Sequence, residues 1–115
     1  MNFPDATSTE EISPQFLHEL RTNHVTFRLI DCRERDEWDF NRIDGAKLVA
    51  LSTFHDHAPQ LLACHDQAMV IYCHHGIRSL HATRWLRQHG LTNVFSLSGG
   101  IDQWSREIDD LVPLY

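Results

Sequence analysis

The chain has 115 residues, 10 Lys+Arg against 16 Asp+Glu and a formal net charge of −6. That is enough for one domain with a single core, and too acidic overall for a surface that binds nucleic acid. A hydrophobic content of 42% with 23% charged residues is globular and excludes disorder, a collagen-like repeat and a coiled coil. With no apolar run near the ~18 residues of a membrane span, and an N-terminus that is polar and acidic, neither a membrane segment nor a signal peptide is expected. Three cysteines, Cys32, Cys64 and Cys73, lack C-x-x-C spacing and fit a reducing, cytoplasmic setting better than a disulfide framework. Nine histidines qualify the acidity, since protonating all of them would carry the formal charge from −6 to +3.

In chain order, residues 1–11 read as a flexible lead and 12–115 as one domain. Ser13-Pro14 starts a helix, Ser13 as N-cap and Pro14 at the first position, with Phe16, Leu17 and Leu20 facing inward. Residues 25–30, rich in β-branched and apolar types, read as a strand ending at Asp31. A short helix over 36–40 is expected to anchor through Trp38. Asp44-Gly45 turns into a short strand over 46–51, and 54–64 reads as a helix with Leu61 and Leu62 inward. The clearest strand is 68–72, Ala-Met-Val-Ile-Tyr, a continuous apolar run suited to a parallel strand buried on both faces. A helix over 79–89 closes at Gly90, a strand occupies 93–97, and Ser98-Gly99-Gly100 leads into a last helix over 101–108 with Trp104 buried. Strand and helix alternate, which predicts an α/β fold: an open, mainly parallel sheet of about five strands with helices on both faces. Ligands in such sheets bind at the carboxyl ends of the strands, here Asp31-Cys32-Arg33, Cys73 and Ser98-Gly99-Gly100.

Cys73-His74-His75-Gly76-Ile77-Arg78-Ser79 joins the most buried strand to a helix start. Inward N–H groups of a tight loop and the positive end of a helix dipole both favour thiolate over thiol. Arg78 and protonated His74 or His75 would add to this, so Cys73 is expected to have a pKa below the free value of about 8.5 and to act as a nucleophile. Gly76 lets the loop curve without a side chain in the way.

These segments together resemble the rhodanese family. Leu29-Ile30-Asp31-Cys32-Arg33 is similar to its L-I-D-x-R strand end, and Glu37-Trp38 followed by Ile43-Asp44-Gly45-Ala46 to E-[FW] then H-I-P-G-A. Cys73 to Ser79 matches C-x-x-G-x-R-S, and Ala82, Leu86, Gly90, Val94, Leu97, Gly99, Gly100 and Trp104 fall in register with the closing pattern. The resemblance implies a sulfurtransferase that needs no metal and no organic cofactor. A small anionic sulfur donor such as thiosulfate would bind among His74, His75, Gly76, Ile77, Arg78 and Ser79. Cys73 would take its outer sulfur as a persulfide and pass it to cyanide in vitro, or to a thiol or sulfur-carrier protein. Asp31, Arg33 and Glu37 would support the loop, and Arg78 would contact either the donor or Glu37 or Asp31. Asn41-Arg42 and Asp44 depart from the family's G-H and Pro, which affects that turn rather than the chemistry. Cys32 fills the variable position beside the strand that ends at Cys73, so a resolving role toward an oxidised or persulfidated Cys73 is conceivable, provided strand alternation does not turn it away. The tail from Ile108 to Tyr115 resembles the ending of rhodanese domains fused to E1-like adenylyltransferases, which suggests a stand-alone version of their donor role toward ubiquitin-like carriers.

Three other readings compete. A cysteine phosphatase or arsenate reductase needs five residues between Cys and Arg, whereas four separate Cys73 from Arg78. Non-catalytic rhodanese-like modules, which serve binding or regulation, usually lack the cysteine. A metal protein is suggested by the histidines, but no zinc-finger or H-E-x-x-H spacing occurs, and adjacent His74 and His75 are not expected to face one ion.

Overall fold

The computed structural model describes residues 1–115. The expected N-cap forms: Ser13 Oγ accepts from the Phe16 N–H at 3.0 Å, and helix α1 runs Pro14–Thr22. Around it the chain builds β1 (Glu11–Ile12), β2 (Arg28–Asp31), α2 (Arg35–Phe40), β3 (Lys47–Leu48), a 3-10 turn (Leu51–Thr53), α3 (Phe54–Leu62), β4 (Met69–Tyr72), α4 (Ile77–Gln88), β5 (Val94–Leu97) and α5 (Gly100–Glu107). All five strands pair in parallel in the order β1-β5-β4-β2-β3. β4 is central and every one of its residues is buried, as its unbroken apolar run requires.

Side-chain alternation divides the sheet between two cores. Leu29, Val70, Tyr72, Phe95 and Leu97 pack with Leu17 and Leu20 of α1 and Ile101 and Trp104 of α5. On the opposite face Ile30, Cys32, Met69, Ile71, Cys73 and Val94 pack with Phe54 and Leu61 of α3 and Ala82 and Leu86 of α4. Helices therefore cover both faces, and both cysteines that follow strand ends belong to the α3/α4 side.

Several local expectations are corrected. The strand expected over 25–30 pairs only from Arg28, because Val25 still donates its N–H to Leu20 O at 3.0 Å in the turn that closes α1. The strand expected over 46–51 is confined to Lys47–Leu48, since the chain enters the 3-10 turn at Leu51. Trp38 does not anchor α2 in the core; no residue of that helix is buried, and the Trp38 ring instead carries the Arg42 guanidinium 4.9 Å from its centroid. β1 was not foreseen, its two residues being too few for any alternation to show. Within residues 1–11, Phe3 stacks on Phe95 with centroids 5.5 Å apart, and Arg87 donates to Ala6 O and Thr9 O. No helix is long and apolar enough to cross a membrane.

Candidate active site

Cys73 follows β4 directly, and α4 begins four residues later from Gly76 as N-cap. This brings helix-start donors onto the sulfur. The Gly76 N–H donates to Cys73 Sγ at 3.1 Å and the Ser79 N–H at 3.4 Å; Ser79 Oγ lies 3.4 Å from the same sulfur. Ser79 Oγ is itself 2.7 Å from Ser96 Oγ on β5, which orients the hydroxyl. Gly76 has a left-handed φ of +99°, and a Cβ there would stand 3.1 Å from Gly99 N and 3.2 Å from Leu97 O. Beneath the loop, the start of α5 donates the Ile101 N–H to Cys73 O at 2.9 Å and the Asp102 N–H to His74 O at 3.1 Å. That approach requires Gly100, where a Cβ would fall 2.4 Å from His74 O and 2.5 Å from Cys73 O. The paired glycines let one helix start cradle the sulfur while another holds the loop's carbonyls.

The Cys73 thiol is pulled down to about 4. The Cys32 thiol beside it contributes most, followed by the Ser79 hydroxyl and the Ser79 and Gly76 N–H groups, all working against burial. Gly76 and Ser79 give the sulfur N–H donors of defined geometry, and the Cys32 thiol adds an S–H whose hydrogen is free to rotate toward it. Cys32 is pushed in the opposite direction by the same contact and by burial, so it remains a thiol next to a thiolate.

Of the two roles left open for Arg78, the structure makes the one with Glu37. Its guanidinium grips the carboxylate in bidentate fashion at 2.8 and 2.9 Å, and the Tyr115 hydroxyl donates to the same carboxylate at 2.7 Å. Arg78 holds Glu37 down to about 2. Asp31 and Arg33 form a fully buried pair, bonded at 3.0 Å from Nε and 2.7 Å from Nη2. Arg33 also donates to Asn41 Oδ1, Asn41 O and the Tyr115 hydroxyl, joining the end of β2 to the segment after α2 and to the tail.

His74 is sandwiched between the His75 ring and the Tyr115 ring, each with centroids 3.8 Å away. Burial and the neighbouring His75 lower its pKa, and its buried Nε2 has no hydrogen-bond partner. The cationic help expected from His74 is thus weakened at neutral pH, and hydrogen bonding to the sulfur dominates. The adjacency argument against a shared ion is also corrected: His74, His75 and Asp102 bring ligand atoms within 4.8 Å of one another, because α5 starts beside the loop. Asp102 there is already paired with Arg106 at 3.0 Å.

Cys73, His74, His75, Ile77 and Arg78 line an open cavity of about 290 Å³, with Cys73 only 1% exposed at its floor. A larger depression of about 500 Å³, lined by residues 6–11 and Arg87, holds no thiol and two carboxylates, which suits no anionic donor. Sequence reasoning did not anticipate Ser96 and Asp102 beside the loop or Asn41 on Arg33, since only strand order and helix placement bring them there. Tyr115 carried a signal in the resemblance of the tail.

The model of the rhodanese-like domain matches residues 13–107. The chain belongs to the rhodanese-like family. The thiosulfate sulfurtransferase GlpE of Ectopseudomonas mendocina is 30% identical over 95 residues, covering 83% of this chain and 84% of that protein. The probable adenylyltransferase/sulfurtransferase MoeZ of Mycobacterium tuberculosis is 29% identical over 110 residues, which span 96% of this chain but only 28% of MoeZ. Among solved structures, the human single-domain sulfurtransferase TSTD1 superposes with a TM-score of 0.74 at 26% identity, covering 86% of this chain and 97% of that one. Rhodanese-like proteins thus share with this chain the five-stranded parallel sheet and its helical layers, and sulfurtransferases are among its relatives.

Proposed function

We propose that this rhodanese-like domain is a sulfurtransferase whose nucleophile is Cys73, acting on thiosulfate or a similar small anion. The reading rests above all on a thiolate at the floor of an open cavity, with hydrogen-bond donors from Gly76 and Ser79 on its sulfur. Cys73 thiolate attacks the outer sulfur of the donor, the S–S bond of thiosulfate breaks, and sulfite leaves with the electron pair. The product is a Cys73 persulfide anion whose charge the same donors can hold. A thiophilic acceptor then attacks that outer sulfur: cyanide in the test tube, a thiol or a sulfur-carrier protein in the cell. Cys73 thiolate is restored, so no step needs a metal or organic cofactor. The similarity over nearly the whole chain to MoeZ, named as an adenylyltransferase and sulfurtransferase, favours a carrier protein as acceptor.

A phosphoryl-transfer reading has less support. Both Arg78 nitrogens that would clamp a phosphoryl group are taken by Glu37. Intact-mass measurement after incubation with thiosulfate tests the proposal. The protein should gain one sulfur atom, Cys73→Ala should gain none, and cyanide should remove the added sulfur as thiocyanate. Absence of any gain with thiosulfate, thiosulfonate or persulfide donors would end the sulfurtransferase reading.

A further inference from the structure

The second thiol at this site carries no sulfur in the cycle above, yet its placement is as well defined as that of Cys73. β2 and β4 pair in parallel with Asp31 beside Tyr72, and the next residue on each strand is a cysteine. The Cys32 N–H donates to Tyr72 O at 3.0 Å, so the lateral pairing persists at this level. Neighbouring strands lie about 4.8 Å apart, inside the Cα separation of about 4.4–6.8 Å that a disulfide spans. Equal parity on the two strands sends both side chains to the α3/α4 face, where Cys32 and Cys73 share one cluster. Both are free thiols. Cys32 is wholly buried while Cys73 lines the cavity, so Cys32 reaches Cys73 from within the protein and not through the opening by which donor and acceptor arrive. Cys64 stands apart, its Sγ 3.2 Å from Gln60 O on α3.

We propose that Cys32 is a resolving thiol that discharges the Cys73 persulfide as sulfide, a step that rests on the sulfurtransferase reading. The outer sulfur of the persulfide occupies the cavity, which leaves the inner sulfur open to in-line attack from the Cys32 side. Cys32 Sγ bonds to Cys73 Sγ, the bond between Cys73 and the outer sulfur breaks, and that sulfur departs with the electron pair. The Cys32 proton goes with it, so the persulfide anion and the thiol become one disulfide and one hydrosulfide ion. Sulfur leaving the site is reduced to sulfide, Cys32 is oxidised into the disulfide, and no external oxidant enters. A dithiol reductant from solution returns both cysteines to the free state. The domain then has two outlets for one sulfur: direct transfer when a thiophilic acceptor fills the cavity, and sulfide release when none does.

The test uses the whole chain, freed of reductant and given equimolar thiosulfate with no acceptor. Sulfide is measured in solution, and the protein by intact mass and non-reducing peptide mapping. The wild-type chain should release sulfide and finish without added sulfur, two hydrogen atoms lighter, with Cys32 linked to Cys73. Cys32→Ser, which keeps a hydrogen-bond donor beside Cys73, should take up sulfur, hold it and release no sulfide; Cys32→Ala should do so too, with slower uptake, if the serine variant folds poorly, and Cys64→Ser should match wild type. A wild-type chain that holds its persulfide with no linked peptide would refute the resolving role and leave the sulfurtransferase reading standing. Failure of wild type and both Cys32 variants to take sulfur from thiosulfate would overturn that reading and this step with it.

Discussion

Cys73 is as buried as a structural cysteine, and what distinguishes it is the set of donors on its sulfur. Gly76 and Ser79 supply N–H groups from the first turn of α4, which no intrahelical carbonyl can use, and Ser79 adds its hydroxyl. A thiol held down to about 4 is ionised throughout the neutral range. Alkylation of Cys73 by iodoacetamide should therefore be independent of pH across the neutral range and fall only as the medium approaches pH 4. Ser79→Ala removes one donor and should move that fall toward higher pH; a midpoint in the ordinary thiol range of about 8.5 for wild type would contradict the geometry. Gly100 makes a matching prediction from sterics. Its φ of +61° and the carbonyls only 2.4 and 2.5 Å from a Cβ leave no room for alanine. Gly100→Ala should lose about 1–2 kcal/mol from the left-handed backbone alone, with more from the displaced loop, read as a lower midpoint in urea unfolding together with slower Cys73 alkylation.

Between elements, the decisive contact is the clamp of Arg78 in α4 on Glu37 in α2, since α2 buries none of its own residues. The helix is held instead by this pair and by the Glu34 N–H donating to Glu37 Oε1 at 3.1 Å. Glu37 lies below its unfolded value of about 4.3, so its contribution to stability is complete above that pH and disappears as the pH falls through about 2. Because Arg78 is 37% exposed, solvent screening limits the pair to about 1 kcal/mol. Glu37→Gln should lower stability by about that much near pH 7, and the deficit should shrink in strongly acidic buffer. Urea midpoints of the two proteins along a pH series would check it; a deficit that does not change with pH would place the loss in packing rather than charge.

At the scale of the molecule, Arg33 ties three distant stretches together: the end of β2 through Asp31, the segment after α2 through Asn41, and the tail through Tyr115. Asn41 reinforces the link by donating to Pro113 O at 2.7 Å. Charges this deep survive only as a pair with their hydrogen bonds satisfied. Arg33→Ala would strand the Asp31 carboxylate and release the tail, costing about 3–5 kcal/mol. Denaturant unfolding should register the loss, and limited proteolysis should cut the tail faster than in wild type; unchanged values in both would show that the network is dispensable.

The sequence by itself determined what local chemistry can encode. The apolar run of β4 and the Ser13-Pro14 start of α1 read correctly from neighbouring residues, and the Cys73 loop, with glycine, arginine and serine at set distances, is legible as the link from that strand to a helix start. Propensity, capping and periodicity act over a few positions, and so they predicted an open parallel sheet with helices on both faces and pointed to Cys73. Strand order was beyond them. β1 is two residues long and exists because β5 offers it an edge, while Trp38 looks like a core anchor until the core is found elsewhere. The resemblance already placed Cys32 on a strand beside Cys73, 41 positions away in the chain, but only the tertiary structure, with β2 and β4 neighbours in equal register, turned its side chain to the same face. The tertiary structure likewise assigned Arg78 to Glu37 and left His74 between two rings, contacts that depend on where α2 and the tail come to rest. The unpaired thiol legible in the opening cysteine count thus acquires its neighbour, and with it a second possible fate for the sulfur it carries, from the packing of two strands that no local pattern connects.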